Sequence, residues 1–281
     1  MRHGGAVKDA VRDAGRAVGV ARFDSIVSGV ANVDGVRAYW EQHIHDLEIT
    51  AHPVGSRGFF DDLDRYHFEK LHHLLTLVDF DAYRGRRVLD VGCGAGVDAA
   101  RFAKGGARVT GVDLARSAIN LATANFAQQG LSGCFVVGNG ERLPFADGSF
   151  DYVFAHGVVQ YTPDSDALVA ECHRVLRPGG HALFQVYNRV SWLHAMSLVT
   201  RVALEHEDAP VLRRFSIGEF RRTLTPFANV RVVPERFPVR SRLHGGWKGI
   251  LFNSLFVGAF NSLPRAWVRR YGWHLLAFCT K

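Results

Sequence analysis

From residue 87 onward, short apolar runs alternate with amphipathic stretches of helical period, and glycine or proline punctuates most of the joins. Arg87–Val91, Arg108–Asp113, Cys134–Gly138, Asp151–Ala155 and His181–Tyr187 have the length and apolar content of strands covered on both faces. Helices are predicted over Val97–Ala107, stopped by Gly105-Gly106, over Arg116–Gln129, ended by Gly130, and over Ser165–Leu176. Arg177-Pro178-Gly179-Gly180 reads as a turn, and Val230–Val233 and Gly272–Thr280 as a sixth and a seventh strand. Strand–helix alternation of this kind predicts an α/β fold built on a doubly wound, mostly parallel sheet.

The first 83 residues lack that rhythm and read as an N-terminal helical cover or lid, leaving residues 84–281 as the main domain with an insertion at about 189–226. Val33–His45 carries Val36, Tyr39, Trp40, His43 and Ile44 at helical spacing, and Phe59–Val78 carries Phe60, Leu63, Tyr66, Leu71, Leu74 and Leu75. Pro53 and Gly55 break the segment between them. Residues 1–30 are small and basic, with glycines that weaken any helix.

Bulk chemistry narrows the classes. The 281 residues carry a formal net charge of +7, which admits nucleic acid, an anionic membrane surface or an anionic substrate as a partner. The arginines are scattered, however, so nucleic acid is not the expected partner. Cys93, Cys134, Cys172 and Cys279 form no CxxC pair and read as reduced, buried thiols of a cytoplasmic protein. Neither a signal peptide nor an apolar run of transmembrane length is expected. His43, His45 and His52, with Asp46 and Glu48, make no closed ligand set, and no metal is expected.

The chemistry concentrates at Val88-Leu89-Asp90-Val91-Gly92-Cys93-Gly94-Ala95-Gly96, a buried strand running into a glycine turn and a helix N-terminus. Two ligands suit such a turn. A dinucleotide would ask for Gly or Ala where Val97 stands; the acid at the end of the second strand, Asp113, suits either ligand's ribose. Three further segments follow in order: Gly111-Val112-Asp113, the loop Asn139-Gly140-Glu141-Arg142-Leu143-Pro144-Phe145, and Val175-Leu176-Arg177-Pro178-Gly179-Gly180. Together the four segments resemble the class I S-adenosylmethionine-dependent methyltransferases, and within them the small-molecule enzymes of the ubiquinone/menaquinone methylase type.

The resemblance implies a Rossmann-like sheet of seven strands in the order 3-2-1-4-5-7-6, with strand seven antiparallel. It implies S-adenosyl-L-methionine as cofactor, with Asp90, Gly92, Cys93, Gly94, Asp113, Leu114, Asn139, Gly140, Glu141 and His156 around it. His156, just after strand four, is then either a general base or a ring that orients the cofactor. Gln160, Tyr161, Tyr187, Asn188 and Trp192 are candidates for the acceptor side, as are Tyr39 and His43, whose alternative is a solvated helix face. The implied reaction is methyl transfer to a small organic acceptor, oxygen first, then carbon or nitrogen. A nucleic-acid methyltransferase and a non-catalytic binding protein of the same fold are the alternatives. Residues 247–267, apolar with basic ends, would suit a membrane surface or a lipid-like acceptor, or else a packed helix. A homodimer is also compatible with this reading.

Overall fold

A computed structural model describes residues 33–43, 49–201, 204, 206–238 and 257–281. The expectations for residues 1–30 and for His45, Asp46 and Glu48 lie outside the described residues, as do residues 247–256 of the 247–267 segment.

Eight strands form one sheet in the order β3-β2-β1-β4-β5-β8-β7, with a short strand β6 beside β5. In chain order the elements are α1 (Val33–Gln42), α2 (Arg57–Lys70), α3 (Leu74–Leu77), β1 (Arg87–Val91), α4 (Val97–Lys104), β2 (Arg108–Asp113), α5 (Arg116–Gln129), β3 (Gly133–Val137) and β4 (Phe150–His156). There follow α6 (Ser165–Val175), β5 (Leu176–Asn188), α7 (Trp192–Thr200), β6 (Arg214–Phe215), α8 (Ile217–Thr223), β7 (Ala228–Glu235), α9 (Val257–Ser262), α10 (Arg265–Val268) and β8 (His274–Thr280). Strands β1 to β5 pair in parallel, and β8 runs antiparallel between β5 and β7. The fold is therefore the Rossmann-like methyltransferase architecture, with one two-residue strand more than the expected seven.

The sheet is buried on both faces, as its apolar strands require. On one face Phe59, Phe60, Leu63, Phe68 and Leu74 of α2 and α3 share a core with Val88, Phe102, Phe154, Leu183 and Leu276. On the other, Leu168, Val169, Val175 and Phe220 pack with Leu89, Val153, Phe184 and Ala277. Ser56 starts α2 by accepting a hydrogen bond from Phe59 N, and Asp164 does the same for α6 through Ala167 N. A capping box between Ser216 and Glu219 starts α8.

Three local expectations change. The helix expected over Phe59–Val78 is interrupted after Lys70, where Leu71 departs from helical dihedrals and donates its N–H to His67 O. The segment expected as a turn before the fifth strand is paired at its start, with Leu176 opposite Phe150, and the ladder shifts register before Tyr152 pairs with His181. Gly179, at φ 70°, makes that irregularity and donates to Lys281 O. Cys134 is exposed rather than buried, because β3 lies at the sheet edge.

Candidate active site

A cavity of about 240 Å³ opens over the carboxyl ends of β1, β2, β4 and β5, where open α/β sheets place ligands. Strand order lays out its wall. Asp113 and Leu114 come from β2, the glycine turn from β1, His156 from β4, Gln185 and Tyr187 from β5, and His274 from β8.

The β1 turn is built by backbone conformation. Gly92 and Cys93 both donate to Val112 O, tying the turn to β2. Gly92 and Gly94 have φ values of 72° and 52°, which favour glycine. A Cβ on Gly92 would lie 2.8 Å from the Val158 side chain, whereas one on Gly94 would meet nothing within 4 Å. Asp113 braces the turn: Oδ2 accepts from Gly94 N at 2.9 Å and Oδ1 from Ala115 N at 2.9 Å. Asn139 Oδ1 accepts from Glu141 N at 2.9 Å, which orients its amide, and Glu141 Oε1 accepts from Asp164 N at 2.8 Å. Gly140 is pressed onto Leu168, where a Cβ would come within 2.9 Å.

Behind the turn, Asp90 is 3 % exposed and its Oδ2 has no hydrogen-bond partner among the described residues. Burial raises its carboxyl well above the ordinary range, and the charges of Asp98 and Asp113 push it further the same way. Such a concentration of carboxylates beside a nucleoside-sized recess suits a ligand with a ribose diol and positive charge. S-adenosylmethionine has both, in its ribose and in its ammonium and sulfonium groups, and these residues fit it. Asp90 is not on the cavity wall and lies one layer behind the glycines.

His156 ends β4 and is held from one side. Its Nδ1 lies 3.5 Å from Asp98 Oδ2, while His67 Nε2 lies 3.1 Å from Asp98 Oδ1. Burial pushes the Asp98 carboxyl up, but the charge of His67 and hydrogen bonds from His156 and His67 outweigh it and hold Asp98 well below the carboxylate range. Asp98 sits in the first turn of α4, where the helix dipole also favours its charge. His156 Nε2 is buried and has no partner among the described residues. His67, Asp98 and His156 could also hold a metal ion, since one donor atom from each falls within 4.8 Å of the others.

Tyr161 and Tyr187 stand on the cavity wall with their hydroxyls 3.1 Å apart, and Tyr187 stacks on Trp273. The structure brings Gly92, Cys93, Gly94, Asp113, Leu114, Asn139, Gly140, Glu141, His156, Tyr161 and Tyr187 to one cavity.

Other candidates go elsewhere. Val33, Val36 and Trp40 turn α1's cavity face inward, which leaves Tyr39 and His43 off it. Tyr39 OH instead donates to Asp208 at 2.9 Å, and burial together with Asp208 pushes its hydroxyl up to about 12. His43 stacks on Tyr39 at 4.0 Å. The Asn188 amide donates to Val190 O, Arg270 O and Gly272 O, a structural role, and Trp192 donates to Arg236 O. Gln160 is fully buried behind the wall, its backbone carbonyl accepting from Arg213 N.

Among the wall residues that were not expected are His67 and Lys70 on α2, Asp98 on α4, Gln185 on β5, Arg236 after β7 and His274 on β8. A sequence signal existed for the first two, because Leu63, His67, Lys70 and Leu71 share one helical stripe.

Comparison with known proteins agrees with this geometry. A family profile described as a methyltransferase domain matches residues 89–184. The chain is 32 % identical over 171 residues to a ubiquinone biosynthesis O-methyltransferase of Chromobacterium violaceum, covering 55 % of this chain and 72 % of that one. It is 29 % identical over 147 residues to the protein of the same description from Ralstonia nicotianae, covering 50 % of this chain and 62 % of that one. For the latter, the match thus spans about three fifths of the relative's length. Among solved structures, a SAM-dependent methyltransferase of Thermotoga maritima superposes with a TM-score of 0.55 at 19 % identity, covering 88 % of this chain and 99 % of that one. One from Mesorhizobium loti gives 0.52 at 18 % identity, covering 75 % and 97 %. Glycine turn, sheet order and sequence similarity agree, and the chain belongs to the class I S-adenosylmethionine-dependent methyltransferases.

Proposed function

We propose that the protein methylates an ionisable oxygen, a phenolic hydroxyl, of a small organic acceptor, with His156 as general base. The observation that carries this reading is the pairing of His156 Nδ1 with Asp98, which leaves Nε2 buried and without a partner among the described residues, on a side chain that lines the cavity. A neutral imidazole bears one proton. With that proton on Nδ1 toward the carboxylate, Nε2 is the acceptor.

When bound, S-adenosylmethionine supplies an electrophilic methyl carbon on a sulfonium. Asp113 and the 139–141 loop hold the nucleoside part, the glycine turn admits the methionyl part, and Asp90 balances its ammonium. His156 Nε2 takes the hydroxyl proton, and Asp98 stabilises the imidazolium that results. Tyr161, Tyr187 and Trp40 wall the acceptor space and exclude water. Holding an acceptor in line can contribute several kcal/mol, of order 7–11 in favourable cases, and a base adds about 10²–10⁴-fold where a proton must leave.

The O-methyltransferase description of the relatives supports oxygen as the target. A quinone-like, lipophilic acceptor fits the apolar part of the wall, Val33, Val36, Leu63 and Leu71. Among the described residues no helix is long and apolar enough to cross a membrane, but Leu198, Leu263 and Trp267 are exposed and would suit a peripheral contact with a lipid surface.

The test combines calorimetry with S-adenosylhomocysteine and a labelled-methyl assay on mono- and dihydroxy aromatic acceptors. Saturable binding and an ether product are expected. Absence of binding would overturn the methyltransferase activity, and product on carbon or nitrogen alone would overturn the oxygen target.

A further inference from the structure

Beyond His156 in strand order, the cavity wall changes character. Gln185 pairs with His156 across β4 and β5, and His274 pairs with Tyr187, two residues along the same face of β5 from Gln185. Gln185 and His274 are 1 % and 3 % exposed, yet Gln185 Nε2 and His274 Nδ1 have no hydrogen-bond partner among the described residues. Both atoms are donors. Arg236 Nη1 lies 3.1 Å from His274 Nε2, and a guanidinium can only donate, so Nε2 is the acceptor and the imidazole proton sits on Nδ1.

Arg236 and Lys70 line the same cavity, and they are among the charged groups acting on His274, with His73 and His156 as the others. Burial, then the Arg236 charge, holds His274 well below its ordinary value, so it stays neutral and keeps this tautomer.

Arg236 is placed deliberately by the backbone. It follows β7 with φ 60°, in the left-handed region, and its carbonyl accepts from Trp192 Nε1 at 2.9 Å and from Trp273 N at 3.3 Å. Those two bonds fix the Arg236 backbone beside the cavity that its side chain lines.

We infer that the acceptor carries a carboxylate in addition to the methylated oxygen, read by Arg236 together with the Gln185 amide and the His274 Nδ1–H, whose ring lies 6.0 Å from that of His156. The inference rests on the acceptor-site reading above and names its substrate class: a phenolic acid. Carboxylate geometry matches an arginine fork, and the two further donors complete its oxygens. Lys70 adds positive charge to the same wall without being required to contact the ligand.

The test is calorimetry on the S-adenosylhomocysteine complex with 4-hydroxybenzoate, 4-hydroxycinnamate, their amides, and phenyl phosphate. The acids are expected to bind at least about tenfold more tightly than the amides, the margin of a charged hydrogen bond. Arg236→Gln should reduce that preference to about twofold or less while S-adenosylhomocysteine affinity stays as in the parent. Gln185→Leu, a near match in volume, should erode the same preference and covers the case in which the arginine variant does not fold. Equal binding of acids and amides, binding of neither, or a preference that survives in both variants overturns the inference. Tighter binding of phenyl phosphate than of either acid overturns the carboxylate in favour of a phosphate. If S-adenosylhomocysteine itself does not bind, it is the methyltransferase activity that falls.

Discussion

Asp98 Oδ2 faces His156 Nδ1 at 3.5 Å while its other oxygen meets His67 at 3.1 Å, so one carboxylate from α4 joins the sheet to the helix that covers it. Asp98→Asn should therefore reverse the proton arrangement of His156. An amide can present its N–H₂ to Nδ1, which leaves the imidazole proton on Nε2 and removes the base. Turnover is expected to fall about 10²–10³-fold, with S-adenosylhomocysteine affinity changed by less than about threefold. The discriminating measurement is acceptor acidity: nitrophenols already ionised at assay pH should escape most of the loss. If they lose as much as ordinary phenols, Asp98 serves packing rather than proton transfer.

Asp113 has two tasks, since its oxygens already brace Gly94 and Ala115. Asp113→Ala should weaken S-adenosylhomocysteine binding by about 1.5–3 kcal/mol, roughly 10- to 150-fold. Isothermal titration checks it. An unchanged dissociation constant would mean that the ribose lies elsewhere.

Two glycines on the same wall should respond differently to alanine. At Gly140 a methyl would come within 2.9 Å of Leu168 and 3.4 Å of Val91, so Gly140→Ala must disturb the core, at a cost of about 1–3 kcal/mol. At Gly94 a methyl meets nothing within 4 Å, and the cost is the left-handed backbone alone, about 1–2 kcal/mol. That methyl would nonetheless stand where the proposed function puts the cofactor's methionyl part. Gly94→Ala should thus lose more cofactor affinity per degree of melting temperature than Gly140→Ala. Thermal melts and titrations of both variants decide it, and the reverse ranking would displace the cofactor from this turn.

Acid should destabilise the fold through its buried imidazoles. Burial lowers His73 to about 3, and neither ring nitrogen has a partner among the described residues. The unfolded chain takes up a proton at this histidine near its ordinary value of 6.5, and the folded chain does not until about 3. Stability from this group is therefore complete above about pH 6.5 and lost progressively as the pH falls toward 3. Between those limits the slope approaches about 1.4 kcal/mol per pH unit for one such group. His73→Phe should flatten the pH dependence of denaturant midpoints between pH 6 and 4, roughly by that amount. An unaltered slope would show that His73 is protonated in the folded protein.

Where local signals were strong, the chain could be read residue by residue. Arg87–Val91, Arg108–Asp113 and Arg116–Gln129 are found at the expected bounds, because apolar runs there meet glycine or helix stops. β6 is two residues long and has no periodicity to detect. Around the cavity, the glycine turn, Asp113, the Asn139–Glu141 loop and His156 belong to contiguous motifs and could be placed from the chain alone. Asp98, Gln185, Arg236 and His274 could not. Each looks like an ordinary helix or strand residue, and only strand pairing and the break after β7 bring them together. Tyr39 and His43 lie on a face of α1 that meets Asp208 rather than the cavity, a pairing that helical spacing alone does not reveal.

His274 opens the last strand, and His67 belongs to the first long helix. Segments far apart in the chain thus close one wall of the cavity. That wall depends on β8 being held between β5 and β7, whereas the glycine turn, Asp113 and the 139–141 loop are set by β1 to β4. Loosening β8 in its slot would therefore alter the far wall before it touched the glycine turn.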